Sequence, residues 1–324
     1  MRDTCLRIVD QLSHGEYVSG TALGQAVGVS RAAVWKHLNK LQGWGVPIEK
    51  SKGYGYRIQG GMELLSTQKI IDAMPKNTRD LLDRLLVLDT TDSTNHVVRT
   101  EIQKNAPPGF VCLSERQSGG RGRLGRTWVS PFGRNLYMSL SWHFEEGVIA
   151  LEGLSLAVGV IVAGVIESFG VDNVALKWPN DILLDRKKVG GVLLEMMGDP
   201  IGPCQVIIGV GINLGMAKGV EIDQPWGDLN TYTQVSRNQL AGQLLSNLLP
   251  MLDAYSDTGF KVHRAKWEAF DAYSGKPVVL ITPRMKVRGI GRGVSANGAI
   301  QIEVGGVLKA YSGGEISLRG DDVN

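Results

Sequence analysis

Residues 154–166 are apolar apart from Ser155, and Glu152 and Glu167 stand at either end. Crossing a bilayer takes about 20 apolar residues in a row, so this run is too short to do so. It reads as a buried helix, apolar on every side, which the rest of the fold has to enclose. With 324 residues the chain is long enough for two or three domains. At 43% hydrophobic and 21% charged, its composition is globular rather than disordered. Cys5, Cys112 and Cys204 are far apart and form no CxxC pair. That argues against a zinc site and a disulfide framework and fits a reducing cytosol. The N-terminal residues lack the long apolar core of a signal peptide, so the expected location is cytoplasmic, with no membrane partner.

Charge is unevenly placed along the chain. Residues 1–60 hold eight Lys/Arg and four Asp/Glu, a net +4, while the rest holds 27 and 28, a net −1. A small basic module on a near-neutral body suggests an anionic partner for that module, such as nucleic acid. Within it, TALGQAVGVSRAAVWKHLNKLQGWGV predicts two short amphipathic helices around a tight turn. Gly28 supplies the left-handed residue, Ser30 caps the second helix, and Val34, Leu38 and Leu41 face inward. IEKSKGYGYRI follows as two short strands, a wing. Ser30, Arg31, Trp35 and Lys36 would then face DNA, with Lys50 and Lys52 on phosphates. A small helical domain that binds protein is the other reading of this pattern.

The middle of the chain mixes strands with helices around a mixed sheet, and the last fifty residues are short strands with glycine turns. The expected fold class is α+β. A winged helix-turn-helix spans 1–63, a mixed-sheet α/β catalytic domain 66–272, and an SH3-like β-barrel 275–324.

In the middle segment the candidates for chemistry are cations on turns. Residues 119–128, GGRGRLGRTW, hold three arginines and four glycines. Glycine costs about 1 kcal/mol relative to alanine inside a helix, so this is a loop: a solvated hairpin, or a wrap around something negative. KWPND (177–181) and DRKKVGG (185–191) are two more cationic turns at strand ends. No Ser/His/Asp set and no metal-ligand spacing accompany them. Activation of a carboxylic acid by ATP needs this kind of equipment: two anions must be brought together and neutralised, without a strong protein nucleophile. A glycine-rich loop closing over the acyl-adenylate would exclude water. Taken without the rest, each piece is also explained as a solvated hairpin, a tight turn with a packed Trp178, or a charged turn.

DSTN, GGRGRLGRTWVSPFGRNLYMSL, KWPNDILLDRKKVGGVLLE and GVGINL, in this order and spacing, resemble the biotin–protein ligases. With GVSRAAVWKHLNKLQGWGV and GYGYRI at the N-terminus, the resemblance extends to the bacterial bifunctional biotin ligases and biotin operon repressors, and covers essentially the whole chain. It implies a catalytic domain of the class II aminoacyl-tRNA synthetase/biotin ligase type. It also implies a two-step reaction: biotin and ATP, with Mg2+, give biotinyl-5′-AMP, and biotin then passes to a lysine of the biotin carboxyl carrier protein of acetyl-CoA carboxylase. Biotinyl-5′-AMP would further act as corepressor, favouring a homodimer that binds operator DNA of the biotin operon.

By motif, the resemblance puts Ser93, Thr94, Asn95 and Gln117 around biotin, and Arg121, Gly122 and Arg123 on the biotin carboxylate and adenylate phosphate. Lys177, Asn180 and Asp181 would place nucleotide and Mg2+, with Asp181 on the metal side. Lys188 matches the family's active-site lysine, with Lys187 the adjacent competitor; Asn213 and Trp226 belong to the adenosine side. One departure is SGG before RGR, where an alanine commonly precedes a single glycine. Three other readings stand beside this one: a ligase without a repressor role, a ligand-sensing transcription factor with an inactive catalytic domain, and a lipoate ligase.

Overall fold

The computed structural model describes residues 4–145, 147, 151–199, 202–216, 222–283, 285–312 and 316–321. The first helices are α1 (Thr4–Leu12), α2 (Gly20–Val27) and α3 (Arg31–Gly43), followed by the hairpin β1 (Ile48–Ser51) and β2 (Gly55–Ile58). Ser19 and Ser30 cap α2 and α3, accepting from the amides of Ala22 at 3.1 Å and Ala33 at 3.2 Å. Between them Gly28 takes φ 74° and ψ 36°, the left-handed conformation that glycine adopts without a Cβ clash. α3 buries Val34, Leu38 and Leu41 against Leu6, Ile8, Val9 and Leu12 of α1 and Leu23 of α2. Ile48 pairs with Ile58 across the wing, whose strands turn through Gly53.

The body begins with α4 (Thr67–Asp72) and α5 (Lys76–Arg79), then β3 (Arg84–Leu88), α6 (Thr94–Gln103), β4 (Phe110–Ser114), β5 (Asn135–Phe144) and α7 (Leu154–Ser168). After these come β6 (Val174–Lys177), β7 (Asp181–Leu184), β8 (Lys187–Gly198), β9 (Cys204–Asn213), α8 (Arg237–Asp253), α9 (Tyr255–Thr258) and α10 (Arg264–Phe270). Seven strands form one sheet in the order β3-β4-β5-β9-β8-β7-β6. Only β3 and β4 are parallel, so the sheet is mixed. α7 is the apolar run 154–166 inside its helix: ten of its fifteen residues are buried, packed with α8 and the sheet in the main core. α6 covers the other face, with Val98 and Ile102 on Phe110, Cys112 and Ile207. α8 and α10 lie where the sequence pattern showed no clear element.

The third part holds β10 (Pro277–Ile281), β11 (Lys286–Val294), β12 (Ile300–Val304), β13 (Val307–Tyr311) and β14 (Ser317–Gly320). They form an antiparallel sheet in the order β13-β12-β11-β10-β14. It docks on the body where Gly298 meets Gly153 and where the Trp178 indole donates to the Gly298 carbonyl at 3.0 Å.

The N-terminal module is keyed into the body by a residue of the body. Phe132 is fully buried in the module's core, stacks on Trp44 at 6.0 Å between ring centroids, and donates its amide to the Trp44 carbonyl at 2.9 Å. Arg116 lies over the same Trp44 ring, 5.5 Å from its centroid. Beneath the connection, Glu115 accepts from the Leu65 amide and from Arg237, each at 2.6 Å. The residues flanking the 119–128 loop, Arg116 before it and Phe132 after it, are therefore held against the end of α3.

Candidate active site and nucleic-acid interface

A cavity of about 730 Å³ opens over the sheet between the 119–128 loop, the β6–β7 and β7–β8 turns, and the start of β14. Among the described residues seven cations line it: Arg121, Arg123, Arg126, Lys177, Arg186, Lys188 and Arg319. The carboxylates among the described lining residues are Asp181 and Asp223. Such an excess of positive charge in a concave, partly dry space favours a multiply charged anion.

One end of the cavity is uncharged and hydrogen-bonded. Ser93, Thr94 and Asn95 sit at the N-terminus of α6, all buried. The Thr94 amide and hydroxyl donate to Gln117 Oε1 at 2.8 and 3.1 Å, and Gln117 Nε2 donates to Ser130 Oγ at 3.1 Å. Ser139, reaching up from β5, lies 2.6 Å from both Thr94 Oγ1 and Asn95 Oδ1. Asn95 Nδ2 and Trp128 Nε1 are buried with no hydrogen-bond partner among the described residues. Buried donors left unpaired are costly, and on a cavity wall they suit a ligand with carbonyl acceptors. Gly209 and Gly211 make room: a Cβ at Gly209 would meet Asn95 Oδ1 at 2.4 Å, and one at Gly211 the Trp128 ring at 2.7 Å. Two glycines two residues apart on a strand share a face. That spacing, GVG at 209–211, is the signal in the sequence for this floor.

The loop 119–128 is a folded hairpin that also lines the cavity, so the two readings of it are compatible. Arg121 bridges Thr127, the Gly122 amide donates to Arg126 at 2.7 Å, and Trp128 donates to Gly120 at 2.9 Å. Gly120 is required there, since a Cβ would meet the Trp128 carbonyl at 2.4 Å. An alanine at Gly119 would make only ordinary contact, 3.4 Å from the Asp92 carbonyl, so the SGG departure is sterically neutral. Arg123 reaches Asn180 Oδ1 at 3.3 Å and the Ile316 carbonyl at 3.4 Å. Burial lowers its pKa and Asp181 opposes that.

At the charged end, Asp181 bridges Lys188 at 2.6 Å and Lys177 at 2.9 Å. Burial opposes its ionisation, but the two ammonium groups outweigh it and hold the carboxyl below its usual range. Lys188 also stands over the Trp128 ring, 5.5 Å from its centroid. Lys187 is exposed, and a β-bulge decides between them. Leu183 pairs with Lys188, whereas Ile182 pairs with Gly190, leaving Val189 extra. Without that bulge, alternation from Gly191 would put Lys187 on the cavity face.

Three expectations meet a different geometry. Asn213 is buried below the cavity wall, linked to Asn135 at 3.3 Å and donating to the Gly227 carbonyl at 3.2 Å. Trp226 bridges Lys188 through the backbone and is not among the lining residues, although Ile222 to Pro225 are; residues 217–221 of its loop lie outside the described residues. Asp181, expected on the metal side, has both oxygens on ammonium groups. No cluster of three metal-ligating side chains occurs among the described residues. As arranged, these residues do not form a protein-made magnesium site, because a hard cation needs free oxygens.

On the N-terminal module, Arg31, Lys36, Lys50 and Lys52 are exposed, and Trp35 is 52% exposed. Ser30 is exposed, with its hydroxyl serving as the cap. Tyr54, beyond the sequence-based set, is 70% exposed at the wing turn. The wing is stiffened by Glu49, which takes Arg57 at 2.8 Å and the Tyr17 hydroxyl at 2.6 Å. No helix among the described residues is long and apolar enough to cross a membrane.

Residues 87–213 match the biotin/lipoate A/B protein ligase family, 5–57 a helix-turn-helix domain, and 273–319 the biotin protein ligase C-terminal domain. The bifunctional ligase/repressor BirA of Escherichia coli K12 is 37% identical over 97% of each chain. That of Bacillus subtilis 168 is 30% identical over 92% of this chain and 93% of its own. The solved biotin protein ligase of Aquifex aeolicus in complex with biotin and ATP superposes with a TM-score of 0.65 at 30% identity, covering 74% of this chain and all of that one.

Proposed function

The chain belongs to the family of bifunctional biotin–protein ligases and repressors, and from that premise we propose how its residues divide the work. It is a biotin ligase joined to a DNA-binding repressor module. The observation that carries the assignment of the site is the cavity's polarity: an uncharged end with unpaired buried donors and, beside it, seven cations against two carboxylates.

Ser93, Thr94, Asn95 and Gln117 hold the fused ring of biotin, with Asn95 Nδ2 as a donor to its carbonyl. Arg121, Gly122 and Arg123 hold the biotin carboxylate against the α-phosphate of ATP. A carboxylate oxygen attacks that phosphorus, the bond to the β-phosphate oxygen breaks, and pyrophosphate leaves with its electron pair. Lys188 and Lys177 neutralise the charge that develops, and Asp181 keeps both ammonium groups aimed at the same point. Asn180 orients Arg123. Mg2+ would be held chiefly by the phosphates, since Asp181 is occupied; bound there, it would neutralise phosphate charge. In the second step the ε-amine of a lysine on the biotin carboxyl carrier protein of acetyl-CoA carboxylase attacks the acyl carbon and AMP departs. The Gly/Arg loop excludes water from biotinyl-5′-AMP between the two steps.

With that adenylate bound as corepressor, the chain forms a homodimer on operator DNA of the biotin operon. Arg31, Trp35 and Lys36 enter the major groove, and Lys50 and Lys52 meet phosphates. The division into 1–63, 66–272 and 275–324 and a cytoplasmic location belong to this reading.

The test is to mix the protein with ATP, Mg2+ and labelled biotin or lipoate, and add a biotin carboxyl carrier domain. ATP-dependent label from biotin and none from lipoate is the expected result. Lipoate transfer would move the chain to the lipoate branch. Biotin bound but never transferred would make it a sensor.

A further inference from the structure

The turn joining β7 to β8 is built from two non-glycine residues with positive φ, Asp185 at 46° and Arg186 at 66°. Two-residue hairpin loops favour positive φ at both places, usually with glycine second; here the second place is Arg186, in a conformation that side chains rarely adopt. A distant segment reaches this turn: the Tyr232 hydroxyl donates to Asp185 Oδ2 at 2.5 Å. The phenol is protonated at neutral pH at its ordinary pKa of 10.0, and the bond raises that value to about 12.

Tyr232 belongs to a segment that grips Lys188 by its backbone. The Lys188 amide donates to the Pro225 carbonyl and the Gly227 amide donates to the Lys188 carbonyl, each at 3.0 Å. The segment is stiff between these points. Asp228 accepts from the Met216 amide at 3.2 Å and caps the turn Leu229–Thr231 through the Thr231 amide at 3.1 Å, and the Tyr232 amide donates to Leu229 at 2.9 Å. Beyond its pairing with β7 and β9, the strand carrying Lys188 is thus held at two further places: at its turn by Tyr232, and at Lys188 itself by Pro225 and Gly227. Arg186, which lines the cavity, rides on the same turn.

We propose that Tyr232 and Asp185 are a positioning pair: their hydrogen bond seats the β7–β8 turn on the 225–232 segment and so fixes where the Lys188 ammonium points. Neither side chain touches the cavity. The pair acts on the nucleotide end alone, because the biotin end is built on α6, β5 and β9.

The proposal rests on the ligase reading for its catalytic consequence and not for the latch itself. Backbone amide exchange reads the latch in the ligand-free protein. Tyr232→Phe is expected to speed exchange at Lys188 and Gly227 about three- to tenfold, the range for losing one hydrogen bond, with the melting midpoint unchanged. In the enzyme assay Tyr232→Phe and Asp185→Gly, which keeps the positive φ available, each raise the half-saturating ATP concentration by a similar factor and leave that of biotin unchanged. The double variant is no worse than either single one. Asp185→Asn, which keeps an acceptor and tolerates positive φ, behaves as wild type. Unchanged exchange in Tyr232→Phe overturns the latch. Equal losses for ATP and biotin with a lowered melting midpoint overturn the positioning role. Altered exchange in a protein whose wild type makes no biotinyl adenylate overturns the ligase reading and leaves the latch standing.

Discussion

Asp181 and Asp271 are two shielded carboxylates at one edge of the main sheet, and their pKa values are shifted in opposite directions. Asp181 faces Lys177 across the β6–β7 pairing; Asp271 bridges Leu176, the residue before that lysine. Burial works against the charge of both. At Asp181 the ammonium groups of Lys188 and Lys177 overcome it, and the carboxyl is held below its ordinary value. At Asp271 only the Tyr273 amide, at 2.9 Å, and Lys276 oppose burial, and the carboxyl is pushed up to about 6. Burial, with a smaller push from Glu268, therefore raises one carboxyl, and a matched pair of cations lowers the other against the same burial. A third group, the exposed cations of α3 and the wing, lies in water and acts through number and range instead.

The largest effect should come from removing the cavity's central cation. Lys188→Ala is expected to slow adenylate formation about 10²–10³-fold, the usual result of losing one charge-stabilising donor. Lys187→Ala should change it less than about threefold; rates of pyrophosphate release compare the two, and a reversed order would break the bulge argument. Next is Asp181→Asn, which leaves two lysines without their shared counter-charge. A loss of about 3 kcal/mol is expected from one-sided removal of a buried pair, measured by denaturant unfolding. Acid should do the same. Because the folded pKa lies below the unfolded one, this stability is present above the ordinary carboxylate range and is lost as pH falls below it.

For the exposed set, Arg31→Ala with Lys36→Ala should weaken operator binding about ten- to a hundredfold and reduce the salt slope by up to about 2, with ligation unchanged. A titration of operator DNA at several salt concentrations decides it, and an unchanged slope would mean that α3 does not meet phosphates. Smallest is Asp271→Asn. The folded state holds this proton more tightly than the unfolded chain, so stability declines as pH rises from the ordinary 3.8 to about 6. The variant should be more stable than wild type above that window, by about 1–2 kcal/mol after allowance for partial exposure, and no different below it. Melting curves at both ends of the window test the sign.

Much of this could be read in the chain before any coordinates. The cap at Ser30, the left-handed Gly28, the ten-residue strand Asn135–Phe144 and the enclosed helix Leu154–Ser168 follow from neighbours in sequence. So does the presence of cationic turns at strand ends, because turn chemistry and hydrophobic period are local properties.

Other features depend on residues far apart in the chain, and only packing could settle them. Alternation along KKVGG does not say which lysine faces inward; the bulge at Val189 does, and it exists only because β8 is paired with β7 on one side and β9 on the other. Nothing in SPFG marks Phe132 as part of another module's core. Nothing in GVGINL marks the Asn213 amide as the donor that holds up Gly227, fourteen residues on. The physical reason is the same each time. Caps, turns and periodicity are set by hydrogen bonds and sterics within a few residues, whereas which face is buried, which charges are paired and which donor is left without a partner are set when distant segments exclude water together.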